Sequence, residues 1–175
     1  MSFALPRLLV AASAAAGLLS AQQPARWVVT GLASSYDSEV DCGNTSLLPL
    51  DGLKLLVVRG RFTAAGAETP SIDVPSIQIS GPAATPTPAA VGILTSKNTC
   101  AGYSNIAGLV SGAVTTTVED RGYTLSREKD SPAVIALTQS SAGLCFAFSV
   151  REAPPAAAAR TLTFAGARAP VPAPK

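Results

Sequence analysis

The chain has 175 residues, with 13 basic and 11 acidic side chains and a formal net charge of +2. Charged residues make up only 14%, and no basic stripe or cluster occurs, so the electrostatic footprint of a nucleic-acid binder is missing. There is no histidine, which removes the usual Ser-His-Asp and Cys-His nucleophiles and histidine-based metal sites.

The chain opens on MSFALPRLLVAASAAAGLLSAQQPA. Arg7 supplies positive charge, and Leu8 to Leu19 carry neither charge nor proline. A polar, small-residue exit follows at Ser20-Ala21-Gln22. This order is that of a secretory signal peptide, with cleavage expected after Ala21. The apolar run is roughly a dozen residues, short of the ~20 needed to span hydrocarbon. Loss of Arg7 brings the mature chain closer to neutral. The expected organisation is a signal peptide over 1–21, one domain over 22–168 and a Pro-rich tail over 169–175. No later stretch is long and apolar enough to span a bilayer.

Past the leader, short strand-like runs alternate with turn signals. Arg26–Ser34 is the first strand, and the polar Asp37–Ser46 reads as a loop. Leu53–Ala64 is the clearest strand. Leu56, Val58 and Phe62 share one face with Lys54 and Gly60, the latter at a possible bulge. Leu55, Val57, Arg59 and Arg61 take the other face, which turns polar toward its end. Ala65–Pro75 reads as a turn and Ser76–Ser80 as a short strand. Gly81–Ala90 is too proline-rich for a central strand. Val91–Thr95 is a strand, Ser96–Ser104 a polar segment, and Leu109–Val118 a β-branched strand. Glu119–Ser131 is the most charged stretch, with a hairpin turn expected around Arg121-Gly122. Ala133–Gln139 is a further strand. Leu144–Arg151 alternates cleanly, with Leu144, Phe146, Phe148 and Val150 on one face and Cys145, Ala147 and Ser149 on the other. Ala153–Ala159 is a break that could form one helical turn, Arg160–Phe164 the last strand, and Ala165–Lys175 a tail. About seven to nine short strands separated by turns predict an all-β sandwich or barrel.

Two segments, GLKLLVVRGRF (Gly52–Phe62) followed by IDVPSIQIS, and LCFAFSVREAPPAAAARTLTFAG from Leu144, together resemble the telokin-like, immunoglobulin-fold extracellular domains of secreted bacterial proteins. Trp27-Val28-Val29 fits the opening strand of that family. The resemblance spans roughly residues 26–168 and implies an immunoglobulin-like β-sandwich with a binding or accessory role and no enzyme activity.

Several groups could carry chemistry. Asp37, Glu39 and Asp41 alternate, with Asn44 close behind, and could offer oxygen ligands to Ca²⁺; the spacing is not that of an EF-hand, and a solvated acidic loop is the simpler reading. Glu119, Asp120, Glu128 and Asp130 are carboxylates that a hairpin could bring together, as a glycosidase requires, but aromatics for a sugar cleft are only 5%. Lys54, Lys97 and Lys129 make a Ser-Lys pair formally possible; of these only Lys129 has a serine three residues before it, Ser126, and no catalytic role is assigned to it. Asn44-Thr45-Ser46 matches a glycosylation acceptor. Trp27 reads as a core anchor. No catalytic, cofactor or metal residue is assigned.

The three cysteines suit an oxidising compartment, and their odd number leaves at least one outside any internal bridge. Cys42 and Cys100 both sit in turn-like surroundings, so Cys42–Cys100 is the expected disulfide, with Cys145 a buried thiol. Cys42–Cys145 and Cys100–Cys145 stay open. The expected function is that of a secreted or periplasmic non-catalytic binding or accessory domain. Its partner is an unidentified protein or envelope component, and it uses no cofactor and no nucleic acid. A structural envelope or matrix protein is the alternative, and a carboxylate-dependent hydrolase a weaker one.

Overall fold

The computed structural model describes residues 26–67, 69–81, 85–152 and 159–174. The leader and its cleavage point lie outside these residues, as do most of the Ala153–Ala159 break and part of the Pro-rich loop after Gly81. The chain is all-β. Its strands are β1 (Arg26–Asp37), β2 (Val40–Asp41), β3 (Ser46–Leu47), β4 (Lys54–Ala65), β5 (Ser71–Asp73), β6 (Ile77–Ile79) and β7 (Ala90–Leu94). They continue as β8 (Cys100–Asn105), β9 (Gly112–Val118), β10 (Arg121–Arg127), β11 (Val134–Leu137), β12 (Ser141–Val150), β13 (Arg160–Phe164) and β14 (Ala167–Val171).

One layer is an antiparallel sheet in the order β1-β4-β12-β7-β8. The facing layer has two parts, β5-β11-β10-β9 and β14-β13-β6. A single stretch of chain joins them: β5 pairs with β11, Val74–Ser76 make one 3₁₀ turn, and β6 then pairs with β13. Pro75 belongs in that turn, because it has no N–H to give a ladder. The two layers enclose one apolar core.

The core faces follow the period of two. Leu56, Val58 and Phe62 of β4 and Leu144, Phe146, Phe148 and Val150 of β12 all point inward and are buried. Trp27 is buried, as expected, with its ring edge-on to Phe164 at 4.9 Å. Phe62 lies 5.5 Å from Phe146 and 4.4 Å from Phe164, which makes an aromatic centre between the layers. The bulge expected at Gly60 lies instead in its partner: the β1–β4 register shifts between Thr30 and Ala33.

Four segments differ from the sequence expectation. The Asp37–Ser46 loop contains the β2–β3 hairpin, and the Ala65–Pro75 turn contains β5. The polar segment from Ser96 to Ser104 contributes most of β8. The expected tail holds β14, which reverses through Ala165-Gly166 and pairs with β13. Pro170 is tolerated there because β14 is the outer strand of its sheet. The β9–β10 hairpin also turns earlier than expected, at Glu119-Asp120 rather than Arg121-Gly122, with both residues at positive φ (50° and 62°). A two-residue hairpin needs that backbone. Glu119 is held in it by its carboxylate, which accepts from the Ser96 N–H at 2.7 Å and from the Ser96 hydroxyl at 3.0 Å. The same hydrogen bonds favour the ionised carboxylate and lower its pKa.

Tyr123 ties the layers together. Its side chain enters from β10, and its hydroxyl lies 2.8 Å from the Val91 carbonyl and 2.9 Å from both the Gly102 carbonyl and the Ser104 hydroxyl. One buried phenol therefore serves both β7 and β8. Tyr123→Phe is expected to lower unfolding stability by about 1–3 kcal/mol, because the buried Val91 and Gly102 carbonyls lose the one O–H they share while shape is kept. Urea titration checks this; a loss within error of zero would mean that water replaces the phenol.

Candidate functional site

The outer face of the five-stranded sheet is not simply a solvated face. Leu55 and Val57 of β4, Cys145 and Ala147 of β12, and Ala90 and Leu94 of β7 form a second, smaller apolar cluster there. The β2–β3 hairpin caps it through Val40, with Leu47 and Cys42 against its side. This explains why β4 and β12 are apolar on both faces for part of their length: one side meets the main core and the other meets the hairpin.

The disulfide lies in this second cluster and joins Cys100 to Cys145, with Cys42 left as the free cysteine. The expected Cys42–Cys100 pairing is thereby corrected. Cys145 and Cys100 sit on β12 and β8, with β7 between them. Two strands separated by a third lie about 9.5 Å apart in a flat sheet. The observed Cα–Cα distance is 6.1 Å, so the β7–β8 hairpin curls back over the sheet. Gly92 permits this. It lies opposite Cys145, and a Cβ on it would come within 2.7 Å of the Tyr103 ring, which occupies the space above β7. Cys42 packs beside the cluster, and burial, reinforced by Asp41, pushes its thiol pKa up.

Between the hairpin and β8 the outer face opens into a cleft of about 610 Å³. The acidic residues singled out from sequence, Asp37, Glu39 and Asp41, all line it, as do Val57 and Arg59 of β4 and Cys100 and Tyr103 of β8. The carboxylates do not converge as metal ligands: among the described residues no group of three or more His, Cys, Asp or Glu is placed to hold an ion. Asp41 instead accepts the Gly43 N–H at 2.8 Å, which closes the β2–β3 turn, and the Ser35 hydroxyl donates to Asp37 at 3.3 Å. Glu39 is exposed.

Two residues that line the cleft each carry a polar atom buried without a hydrogen-bond partner among the described residues, Nε of Arg59 and Oη of Tyr103. Burial, followed by the nearby Asp37, raises the Tyr103 pKa well above the ordinary phenol range, so Tyr103 is a neutral donor at any physiological pH. The inner side of this wall is held by Tyr123 through the Gly102 carbonyl. Gly102 itself adopts φ 58°, and a Cβ there would lie 2.7 Å from Val118 and 2.8 Å from Thr116 of β9. The cleft wall is therefore built on close packing of β8 against β9 that no larger residue would fit.

A smaller hollow of about 160 Å³ lies on the same outer face, lined by Arg61, Arg121 and Gly143, with Leu94 to Ser96 and Asn98. Asn98 lines both hollows.

The other sequence candidates stay apart. Glu119 and Asp120 precede β10, and Glu128 and Asp130 follow it. A strand of that length holds its ends about 20–24 Å apart, too far for a carboxylate pair. Asn44-Thr45-Ser46 sits in the exposed β2–β3 turn. Sequence reasoning missed Arg59, Arg61, Tyr103 and Arg121 as site residues. Among the described residues no helix is long and apolar enough to cross a membrane.

Fold and cleft together define an antiparallel β-sandwich that carries a polar groove on the outer face of its larger sheet. No family model, curated protein or solved structure matches the chain.

Proposed function

We propose that the protein is an exported, non-catalytic binding module, and that its ligand occupies the cleft between the β2–β3 hairpin and β8. The observation that carries this reading is the pair of unpartnered donors, Arg59 Nε and Tyr103 Oη, buried on two residues that line an open cleft of about 610 Å³. Buried polar groups cost stability unless they are paired, and a ligand with acceptor oxygens would pair them. Export is supported by the leader-like start and by the Cys100–Cys145 disulfide in the outer-face cluster, which suits an oxidising compartment. The kinship with telokin-like, immunoglobulin-fold domains, read from Gly52–Phe62 and the segment from Leu144, forms part of the same proposal.

The test is equilibrium dialysis of the exported protein against small molecules from its own extracellular fluid, read by mass spectrometry. The control is Thr99→Trp, which places a large ring at an exposed position on the cleft rim. Wild type should retain one or a few compounds that the variant does not, at unchanged melting temperature. Equal retention by both, or conversion of a retained compound into a product, would overturn the reading.

A further inference from the structure

The two hollows on the outer face are neighbours along the same pair of strands. Arg59 of β4 lies in the larger and Arg61, two residues on and on the same face, in the smaller. Their β12 partners are Cys145 and Gly143, and Asn98 touches both hollows. The two are thus halves of one groove that runs along β4. Its ends differ in sign. Asp37, Glu39 and Asp41 line the larger half, while Arg61 and Arg121 line the smaller. Glu119 stands close to Arg121, but its carboxylate is committed to the Ser96 N–H and hydroxyl, and Lys97 offsets it.

We infer that this groove binds a zwitterionic ligand in one orientation, namely a short free peptide with its amino terminus at the acidic half and its carboxylate at Arg61 and Arg121. The inference rests on the reading of the cleft as a binding site and adds the ligand class. Length supports it: the centres of the two halves, at the levels of Val57 and Arg61, lie roughly 13 Å apart at ~3.4 Å per strand residue. An extended chain of about four residues spans that distance. The middle of the groove suits a peptide backbone. Arg59 Nε and Tyr103 Oη are donors without partners, as peptide carbonyls require. Val57 and the disulfide give an apolar floor for small side chains.

Tetra-alanine is the probe, in four forms: free termini, N-acetylated, C-amidated and blocked at both ends. Calorimetric titration of the exported protein should show the free form binding tightest. Each block should weaken binding by about fivefold, as for a partly exposed ion pair. The variant Asp37→Asn/Glu39→Gln should erase the effect of N-acetylation and keep that of C-amidation. Arg61→Gln should do the reverse. Glu39 and Arg61 are exposed, so folding is expected to survive, and an unchanged thermal midpoint verifies it. Equal affinity for free and doubly blocked peptide, no binding of any form, or variants that do not discriminate between the ends would overturn the inference. If the dialysis experiment then still yields a compound excluded by Thr99→Trp, only the ligand class is wrong. If it yields none, the binding reading falls with it.

Discussion

Phe146→Ala is expected to cost about 3–5 kcal/mol of unfolding stability, the range for deleting a fully buried aromatic ring. Phe146 has no exposed surface, and its ring lies 5.5 Å from Phe62 and 5.8 Å from Phe164. The neighbours cannot close the gap cheaply. β12 is hydrogen-bonded on both sides, to β4 and β7, so the backbone is held while the side chain is removed. The loss would be a large share of the ~5–15 kcal/mol by which domains are stable. Guanidinium unfolding of the oxidised protein measures it. A loss under about 1 kcal/mol would contradict the inward register of β12.

The second large effect concerns the bridge between β8 and β12. Replacing both Cys100 and Cys145 by alanine is expected to cost about 4 kcal/mol in the chain-entropy treatment for the sequence separation of 45. Beyond the entropy, the curled β7–β8 hairpin loses its tie to the sheet, so the cleft wall should loosen before the main core does. Non-reducing peptide mapping should show Cys100 linked to Cys145, with Cys42 alone alkylated after unfolding. In the native protein Cys42 should react slowly at neutral pH, because burial and Asp41 keep it protonated. A linked peptide containing Cys42, or a double variant as stable as wild type, would refute the assignment.

The sequence was most legible where strands are long and have one face in the main core. β4 and β12 announce themselves through a period of two in their large side chains, although both are apolar on the second face for part of their length, and their inward residues are those expected. The short strands were not legible because their stability is not local. β5 has three residues and exists because β11 lies beside it. β8, CAGYSN, has no apolar alternation, since Gly102 faces β9 at close range and Tyr103 lies over Gly92. β14 contains a proline that only an outer strand accepts. The site was half legible for the same reason. The acidic triplet stood out as a cluster, whereas Arg59 and Arg61 looked like the wet end of a strand. Only the topology brings Asn98, Tyr103 and Arg121 around them. The hint available beforehand was that the outer face of β4 begins with Leu55 and Val57, which implies a cover over part of it and a boundary where that cover ends. The disulfide was misassigned because Cys42 and Cys100 were paired on their turn-like surroundings, whereas Cys100 opens strand β8, which curls over β7 to reach Cys145 on the outer face of β12.

The meeting of the first and last described strands has a consequence for how the chain becomes folded as it emerges from synthesis. Strand β14 lies against β1, where the Ser34 hydroxyl donates to the Pro172 carbonyl at 2.6 Å, and Phe164 of β13 packs on Trp27 and Phe62. A vectorially delivered chain can pair β1 with β4 early. It cannot complete the aromatic centre until its final strands arrive, more than a hundred residues later. Until then Trp27 and Phe62 face water, and pairings this distant in sequence form slowly. The sandwich therefore closes last where β1, β13 and β14 meet.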